Sequence, residues 1–431
     1  MAMRKCIFFI IFSVLSLSPF VFAQDRDVLE GGYKNGCNLQ KAIDIALKKN
    51  PELTAMVLEL DAAEARVKQA GLWSNPVFEA ESEDLSGDNP GFSHTQNTFS
   101  ITQPFLLGGK IKHRKSIAEK EKEILQLRYE ATKTNLITKV EHVVYHILLA
   151  QKNLEFENEI RNNAKKLHDF IAKKAMVEDE DSIQFQLLSA EIELSQAELE
   201  VLNAKKDLEI AKRNLTILWG APEILLAECK GSLDRKFNVP EYNELKKYLL
   251  ENNPEIRAIN LQQERGDFLL KSAKAERIPD VEVGFGYRRM EEDNTNTFVA
   301  GFSIPLPLFN RNQGSIQEAL VNQKKVEVDG NVIRNRLLFE LNEAYKTFQT
   351  AMHEANVLKD NILPRAQHYF AHAVKGYNEG ALEYLEVLNG KRTLIETEKR
   401  YVKTLHIIQL SVANLERLCS RHLHGDEGEM F

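Results

Sequence analysis

Histidines four residues apart are the first candidates for chemistry in this 431-residue chain. His142 and His146 have that spacing, and so do His368 and His372. Two imidazoles one helical turn apart can share a cation. Near the end, His422 and His424 precede Asp426, Glu427 and Glu429, a composition that suits a metal-binding tail. Glu178-Asp179-Glu180-Asp181 sets four acids in a row. Nothing joins these groups into a reaction centre. The chain has no His-Glu-x-x-His, no Cys-x-x-Cys and no Ser/His/Asp constellation. Gly284-x-Gly286 is followed by Arg288-Arg289 and lies within a strand pattern, so it is not a dinucleotide loop. The reading is a protein that is not an enzyme and needs no cofactor. Histidines on long helices are commonly solvated, so no metal site is assigned to them.

The composition points away from other partners too. The formal charge is −7, and no basic stripe with interleaved aromatics is present, which argues against nucleic acid. Charged residues make up 28 %, with only 21 glycines and 12 prolines, a balance that favours long helices. Residues 1–23 read as a secretory signal. Arg4 and Lys5 precede an apolar run to Phe22, and Val21-Phe22-Ala23 offers small residues for cleavage. Three cysteines follow it, an odd number that does not suit a disulfide framework. Cys37 and Cys229 lie outside the periodic segments, where a disulfide between them is one possibility and free thiols the other. Cys419 continues a helical apolar stripe as a buried thiol. No later segment is long and apolar enough for a transmembrane helix, which leaves a β-barrel as the way to span a membrane.

The elements that must position these residues come in two copies. Phe99–Lys110 and Phe302–Gly314 match at a constant shift of 203 positions, which sets Ser100-Ile101 on Ser303-Ile304 and Pro104 on Pro307. The same shift sets Asn50-Pro51-Glu52-Leu53 on Asn253-Pro254-Glu255-Ile256 and Pro76 on Pro279. An ungapped match over about 65 residues marks an internal duplication. Each copy carries a change of period from 3.6 to 2. Residues 74–85 and 94–105 alternate around the turn Ser86–Gly91, and residues 279–290 and 297–308 alternate around Glu291–Asn296. Long helices follow. From about 111 to 175 there is no glycine or proline, which is roughly 95 Å of helix. Its return carries a heptad stripe from Ile183 to Leu218. In the second copy, Leu337 to Ile362 carry one stripe and Tyr401 to Cys419 the other, with Pro364 placed to kink the outgoing helix.

The chain therefore divides into a signal (1–23), an N-terminal extension (24–38), a first repeat (39–220), a linker (221–241), a second repeat (242–420) and a disordered tail (421–431). The first repeat holds a β-hairpin at 74–106 and a helical hairpin at 111–218; the second holds them at 279–308 and 314–420. The fold class is mixed but mostly α. Both β-hairpins should lie at one end, with turns 176–182 and 376–382 together at the other, on the order of 100 Å away. Four strands cannot close a barrel, and lipid does not tolerate open edges, so the chain must oligomerise; two or three copies would both close.

The arrangement resembles the outer-membrane efflux factors of the TolC family across residues 39–420. The signature of the second helical hairpin is carried by Tyr377, Gly380 and Tyr384–Asn389; in the first hairpin Glu180 stands where the family usually has glycine. Residues 83–110 and Pro305–Gly314 are similar to the cobalt–zinc–cadmium branch. The resemblance implies a homotrimer with a twelve-stranded barrel in outer-membrane lipid, continued by a long periplasmic α-barrel. It implies a duct for heavy-metal cations, with a periplasmic adaptor and an inner-membrane resistance-nodulation-division pump as partners. A duct for drugs or secreted polypeptides is the alternative within the family, and a periplasmic adaptor the alternative outside it. The family's gate positions fall on Glu386 and Asn389. Adaptor contacts fall on Glu178, Asp179, Glu180, Asp181, Tyr377 and Gly380.

Overall fold

The computed structural model describes residues 37–85, 94–176, 181–224 and 226–423. The signal segment, the turn at Ser86–Gly91 and the tail from His424 lie outside them. Helix α1 (Leu39–Lys49) meets α2 (Pro51–Ala70) at Asn50-Pro51. Asn50 caps α2, its side-chain oxygen accepting from the amides of Glu52 at 2.9 Å and Leu53 at 3.2 Å, while Pro51 needs no partner for a missing N–H. Strands β1 (Val77–Glu83) and β2 (Gln96–Phe105) lead into α3 (Lys110–Ala175) and its return α4 (Asp181–Leu218). The second repeat follows the same order. Helices α5 (Tyr242–Asn252) and α6 (Pro254–Ala275) precede β3 (Val281–Met290) and β4 (Thr295–Ser303). Then come α7 (Gln313–Val357), a π turn (Leu358–Ile362), α8 (Leu363–Asn378) and α9 (Tyr384–Cys419).

The four strands form one antiparallel sheet in the order β1-β2-β3-β4. Paired residues share a face, so the register sorts the side chains. Phe78, Phe99, Ile101, Phe285, Tyr287, Phe298 and Phe302 fall on one face. Glu79, Glu81, Glu83, Thr98, Ser100, Thr102, Glu282, Arg288 and Thr297 fall on the other. The last strand is shorter than its alternation predicts. It ends at Ser303, because Pro305 and Pro307 cannot donate to a ladder. Pro76 likewise holds β1 to a start at Val77.

Helix α3 has 66 residues, about 100 Å at the usual rise. The stripe on α4 packs as its heptads require. Ile183, Ala190, Ala197, Val201, Ala204, Ala211 and Leu215 are all buried. The interior is concentrated at a waist between sheet and tips. One cluster joins α1, the middle of α3, the end of α4 and the linker around Trp219, whose indole N–H donates to Ala42 O at 2.9 Å. Its counterpart joins α5, the middle of α7 and the end of α9 around Leu245, Leu249, Leu341 and Leu415. Both helical hairpins point the same way from this waist. The ring of Phe170, near the end of α3, lies 5.2 Å from that of Tyr384, which opens α9. At the other end Lys110 pairs with Asp280 at 2.8 Å, tying the strand-to-helix junction of the first repeat to the second repeat's sheet entry. Among the described residues no helix is long and apolar enough to cross a membrane.

Candidate duct and its two mouths

The polar face of the sheet is the first part of the site. Glu79, Glu81 and Glu83 alternate along β1 and all are exposed, with Glu282 on β3 adding a fourth carboxylate to that face. Arg288 answers one of them, reaching Glu83 at 3.7 Å while its Nε donates to Thr98 Oγ1 at 2.9 Å. The opposite face presents aromatic rings to its surroundings, Phe298 at 91 % and Phe302 at 77 % exposure. Sequence reasoning found the alternation but missed the row of acids, because it weighed the apolar partners of the pattern and not what alternated with them.

The turn from sheet to helix explains the two quoted motifs. Gly108 and Gly109 have φ of +70° and +73°, the left-handed region. A Cβ on Gly108 would meet Ile278 Cδ1 at 2.8 Å and Ala275 O at 3.2 Å, so the turn also needs the space. At the same repeat position as Gly109 stands Asn312, also left-handed at φ 55°, with its amide donating to Ala273 O at 2.8 Å.

The far mouth is built by the tips. Gly380, at φ +72°, closes α8, with Ala381 N donating to Gly376 O at 2.8 Å. A side chain on Gly376 would collide with Leu382, 2.6 Å from a built Cβ. The turn sets Tyr377 against Tyr384, rings 5.3 Å apart, and Tyr384 against Phe170. Glu386 falls in the first turn of α9, half exposed, and Asn389 is exposed three residues on. Among the described residues the Glu386 carboxylate has no hydrogen-bond or ion-pair partner. Asp181 is the first residue of α4; Glu178, Asp179 and Glu180 lie outside the described residues.

The histidines are dispersed. His368 and His372 are exposed on α8. His422 turns back to Glu416 at 3.4 Å, and Glu416 also accepts from Leu423 N at 2.6 Å, so this pair fastens the end of α9; His424 lies outside the described residues. His146 sits beside His406 of α9, ring centroids 5.9 Å apart. Burial lowers His406 to about 4, with His146 and His142 adding to the fall. Among the described residues no three His, Cys, Asp or Glu side chains gather so as to hold a metal ion. One buried carboxyl was not foreseen. Glu141, 4 % exposed in the middle of α3, is pushed up to about 8, first by burial and then by Glu416, with Arg235 opposing.

A sheet with one apolar and one polar face, continued by two helical hairpins on the order of 100 Å long, is the subunit plan of an outer-membrane channel. The family model for outer membrane efflux proteins matches residues 42–221 and 245–420, and the chain belongs to that family. The cobalt-zinc-cadmium resistance protein CzcC of Cupriavidus metallidurans is 28 % identical over 388 residues, 89 % of this chain and 90 % of that protein. The nickel and cobalt resistance protein CnrC of the same organism is 31 % identical, covering 72 % of this chain and 73 % of its own length. A crystal structure of CusC, determined for the changes that accompany folding and transmembrane channel formation, matches with a TM-score of 0.73 at 18 % identity, covering 88 % of this chain and 91 % of that one. The family's role is transport across the outer membrane.

Proposed function

We propose that this protein is the outer-membrane exit duct of a tripartite heavy-metal cation efflux system. The observation that carries the reading is the two-faced sheet, aromatic toward its surroundings and acidic on the side that would line a barrel. Three copies would supply twelve strands, with the apolar face in lipid and Glu79, Glu81, Glu83 and Glu282 facing the lumen. Carboxylates along a pore favour cations over anions. The relatives' resistance to cobalt, zinc, cadmium and nickel supports the same class of cargo.

Unpartnered helix faces support assembly into a closed ring. Helix α4 carries a second apolar stripe, Phe185, Leu188, Ile192, Leu199, Leu202, Ile210 and Ile217, exposed at 48 % or more. Helix α7 carries another, Val321, Val328, Val332 and Phe339. A stripe on the first hairpin meeting one on the second hairpin of the next copy is a head-to-tail contact, which closes as a ring. At the far mouth three copies of Glu386 would form a carboxylate gate, with Asn389 beside it. The acids 178–181, with Tyr377 and Gly380, would receive the basic tip of a periplasmic adaptor that joins the duct to a resistance-nodulation-division pump. Three copies of an acidic run repel one another unless cationic groups offset them.

Tolerance of metal salts tests the reading. A strain lacking the gene is grown on zinc, cobalt, cadmium, nickel, copper and silver salts and on several drugs, then complemented. The wild-type chain should restore growth on a subset of the metals and on none of the drugs; rescue on drugs alone would sink the metal reading. Glu386→Gln should weaken block by divalent cations in single-channel recordings, and unchanged block removes that residue from the gate. Neutralising 178–181 should reduce adaptor cross-linking at low salt, and equal cross-linking leaves the run a solvated turn.

A further inference from the structure

Cys37 and Cys229 are far apart in the chain and directly paired in an isolated parallel bridge. Its rungs run from Cys37 N to Glu228 O at 2.9 Å and from Lys230 N to Cys37 O at 2.7 Å. Paired backbones lie about 4.8 Å apart and project their side chains to the same face. That separation falls within the ~4.4–6.8 Å that a disulfide spans between Cα atoms. Both side chains are buried, at 1 % and 3 % exposure. The two thiols also feel each other: burial pushes Cys229 up to about 12, and Cys37 adds to the rise.

The backbone around the pair is held from the other side. Gln151 of α3 grips the Cys229 peptide with both ends of its amide. Its Nε2 donates to Cys229 O at 3.1 Å, and Cys229 N donates to its Oε1 at 3.1 Å. Lys212 of α4 donates to Ala227 O. Gly231 passes over Leu148, 3.2 Å from a built Cβ to Cδ1. The Cys229 side of the bridge is therefore held by α3 and α4, and both cysteines are free thiols in this structure. Cys37 Sγ donates to Asn38 O at 3.3 Å, and turning it about Cα–Cβ toward Cys229 is the motion a bond requires. Cys419 is the internal contrast. It is equally buried, its Sγ donates to Leu245 O at 3.5 Å, and it packs within the second core cluster.

We propose that Cys37 and Cys229 form a disulfide in the mature protein, stapling the segment before α1 to the linker after α4 across the waist of α3, while Cys419 stays a thiol. The oxidant is a protein disulfide of the periplasmic thiol–disulfide exchange class. One cysteine thiolate attacks it to give a mixed disulfide; the second displaces the carrier. Two protons and two electrons leave the pair, and the carrier departs as a dithiol. Buried thiols with raised pKa values react slowly, so the exchange belongs to folding, before the waist closes. The closed loop takes in the whole first repeat, and a loop that long restricts the unfolded chain strongly.

The test is a thiol census on the full-length protein extracted from outer membranes. The protein is denatured in excess N-ethylmaleimide without reductant, digested and weighed. The expected result is one alkylated peptide, that of Cys419, and one species joining the Cys37 and Cys229 peptides that separates in dithiothreitol. On non-reducing denaturing gels the monomer should run ahead of its reduced form. Cys37→Ser and Cys229→Ser should each abolish that shift, and Cys419→Ser should keep it. Three alkylated cysteines before reduction overturn the proposal, as does a linkage that includes Cys419. The census on the wild-type chain decides the matter even if a serine variant fails to accumulate.

Discussion

In the first repeat the outgoing helix runs unbroken from Lys110 to Ala175; in the second the same path is divided into α7, a π turn and α8. At the waist the two repeats agree closely. Asn50 caps α2 and donates from its amide to Leu218 O at 2.9 Å, at the end of α4. Asn253 caps α6 and donates to Leu418 O at 3.0 Å, near the end of α9. Each asparagine thus starts one helix and holds the end of another, and both asparagines are buried. The halves diverge away from these anchors, at the tips and in what the waist buries. Duplication has kept the fixed points and left the hairpins free to differ.

The strongest test of this symmetry is to remove both anchors in turn. Asn50→Ala and Asn253→Ala each lose a cap, about 1 kcal/mol, and leave a buried carbonyl unpaired, about 1–3 kcal/mol. Each should destabilise by roughly 2–4 kcal/mol. The midpoint of thermal unfolding in detergent, followed by circular dichroism, should fall similarly for both. A large drop for one and none for the other would break the equivalence of the halves.

Much of this was legible because the signals were local and repeated. Asn-Pro-Glu occurs twice, so the helix starts at Pro51 and Pro254 could be placed, and the strict stripe from Ile183 to Leu218 fixed the seam of α4. What escaped was the second job of a residue already explained. Asn50-Pro51 read as a break between helices, and the amide bond of Asn50 to Leu218 spans 168 positions that periodicity cannot join. The burial of Glu141 escaped for a similar reason. The shift of 203 sets Glu141 on Ala344 of α7, and both positions are buried, so the pattern offers an apolar site and no reason for a carboxyl in it. Glu416 and Arg235, which act on it, come from far along the chain, where periodicity cannot reach. The gate proposed at Glu386 and Asn389 came from family resemblance and the role proposed for the acids 178–181 from their charge; the fold places Glu386 and Tyr377 near one end without assigning them work.

That buried carboxyl supplies a second, smaller test of how the halves differ. The charged groups that act on Glu141 are Glu416, which raises it, and Arg235, which opposes. Its folded pKa, about 8, lies above the ordinary value of 4.5. The folded state therefore holds a proton that the unfolded state releases between those values. Its contribution to stability is complete below about 4.5 and is lost as pH rises through about 8. Glu141→Gln removes the titration and keeps the shape. Melting temperatures at pH 5 and pH 8 should differ less in this variant than in wild type. Asn342→Gln, on the exposed face of the other repeat, should leave the wild-type difference unchanged. Equal pH slopes in wild type and Glu141→Gln would show that the carboxyl is already ionised when buried.

The smallest expected effect belongs to the π turn, and it asks why the second repeat breaks where the first does not. The α7 seam is buried at Leu337, Leu341, Ala344, Ala351, Ala355 and Leu358. Continued at α spacing it would bury Ile362, but Ile362 is 39 % exposed and the seam resumes at Ala366 and Ala373. A π turn takes one more residue than an α turn, so everything beyond it is shifted by one position. Pro364 lacks the N–H that a regular helix would use and its ring would meet the carbonyl at residue 360, which is why the insertion settles there. Downstream packing then holds it in place. Gly390 of α9 faces α8 closely, with a built Cβ 3.2 Å from Phe370 Cα and 3.5 Å from Ala373 Cβ. Pro364→Ala alone should therefore keep the π turn and change stability by less than about 0.5 kcal/mol. Deleting Lys359 together with Pro364→Ala should convert the segment to regular helix, with Ala366 and Ala373 still on the seam and slower amide exchange across 358–366. Deleting Lys346 from the regular part of α7 should instead move the later seam residues out of register and lower the melting temperature. If the two deletions melt alike, the π turn is an accident of Pro364 and not the adjustment that fits α8 to α9.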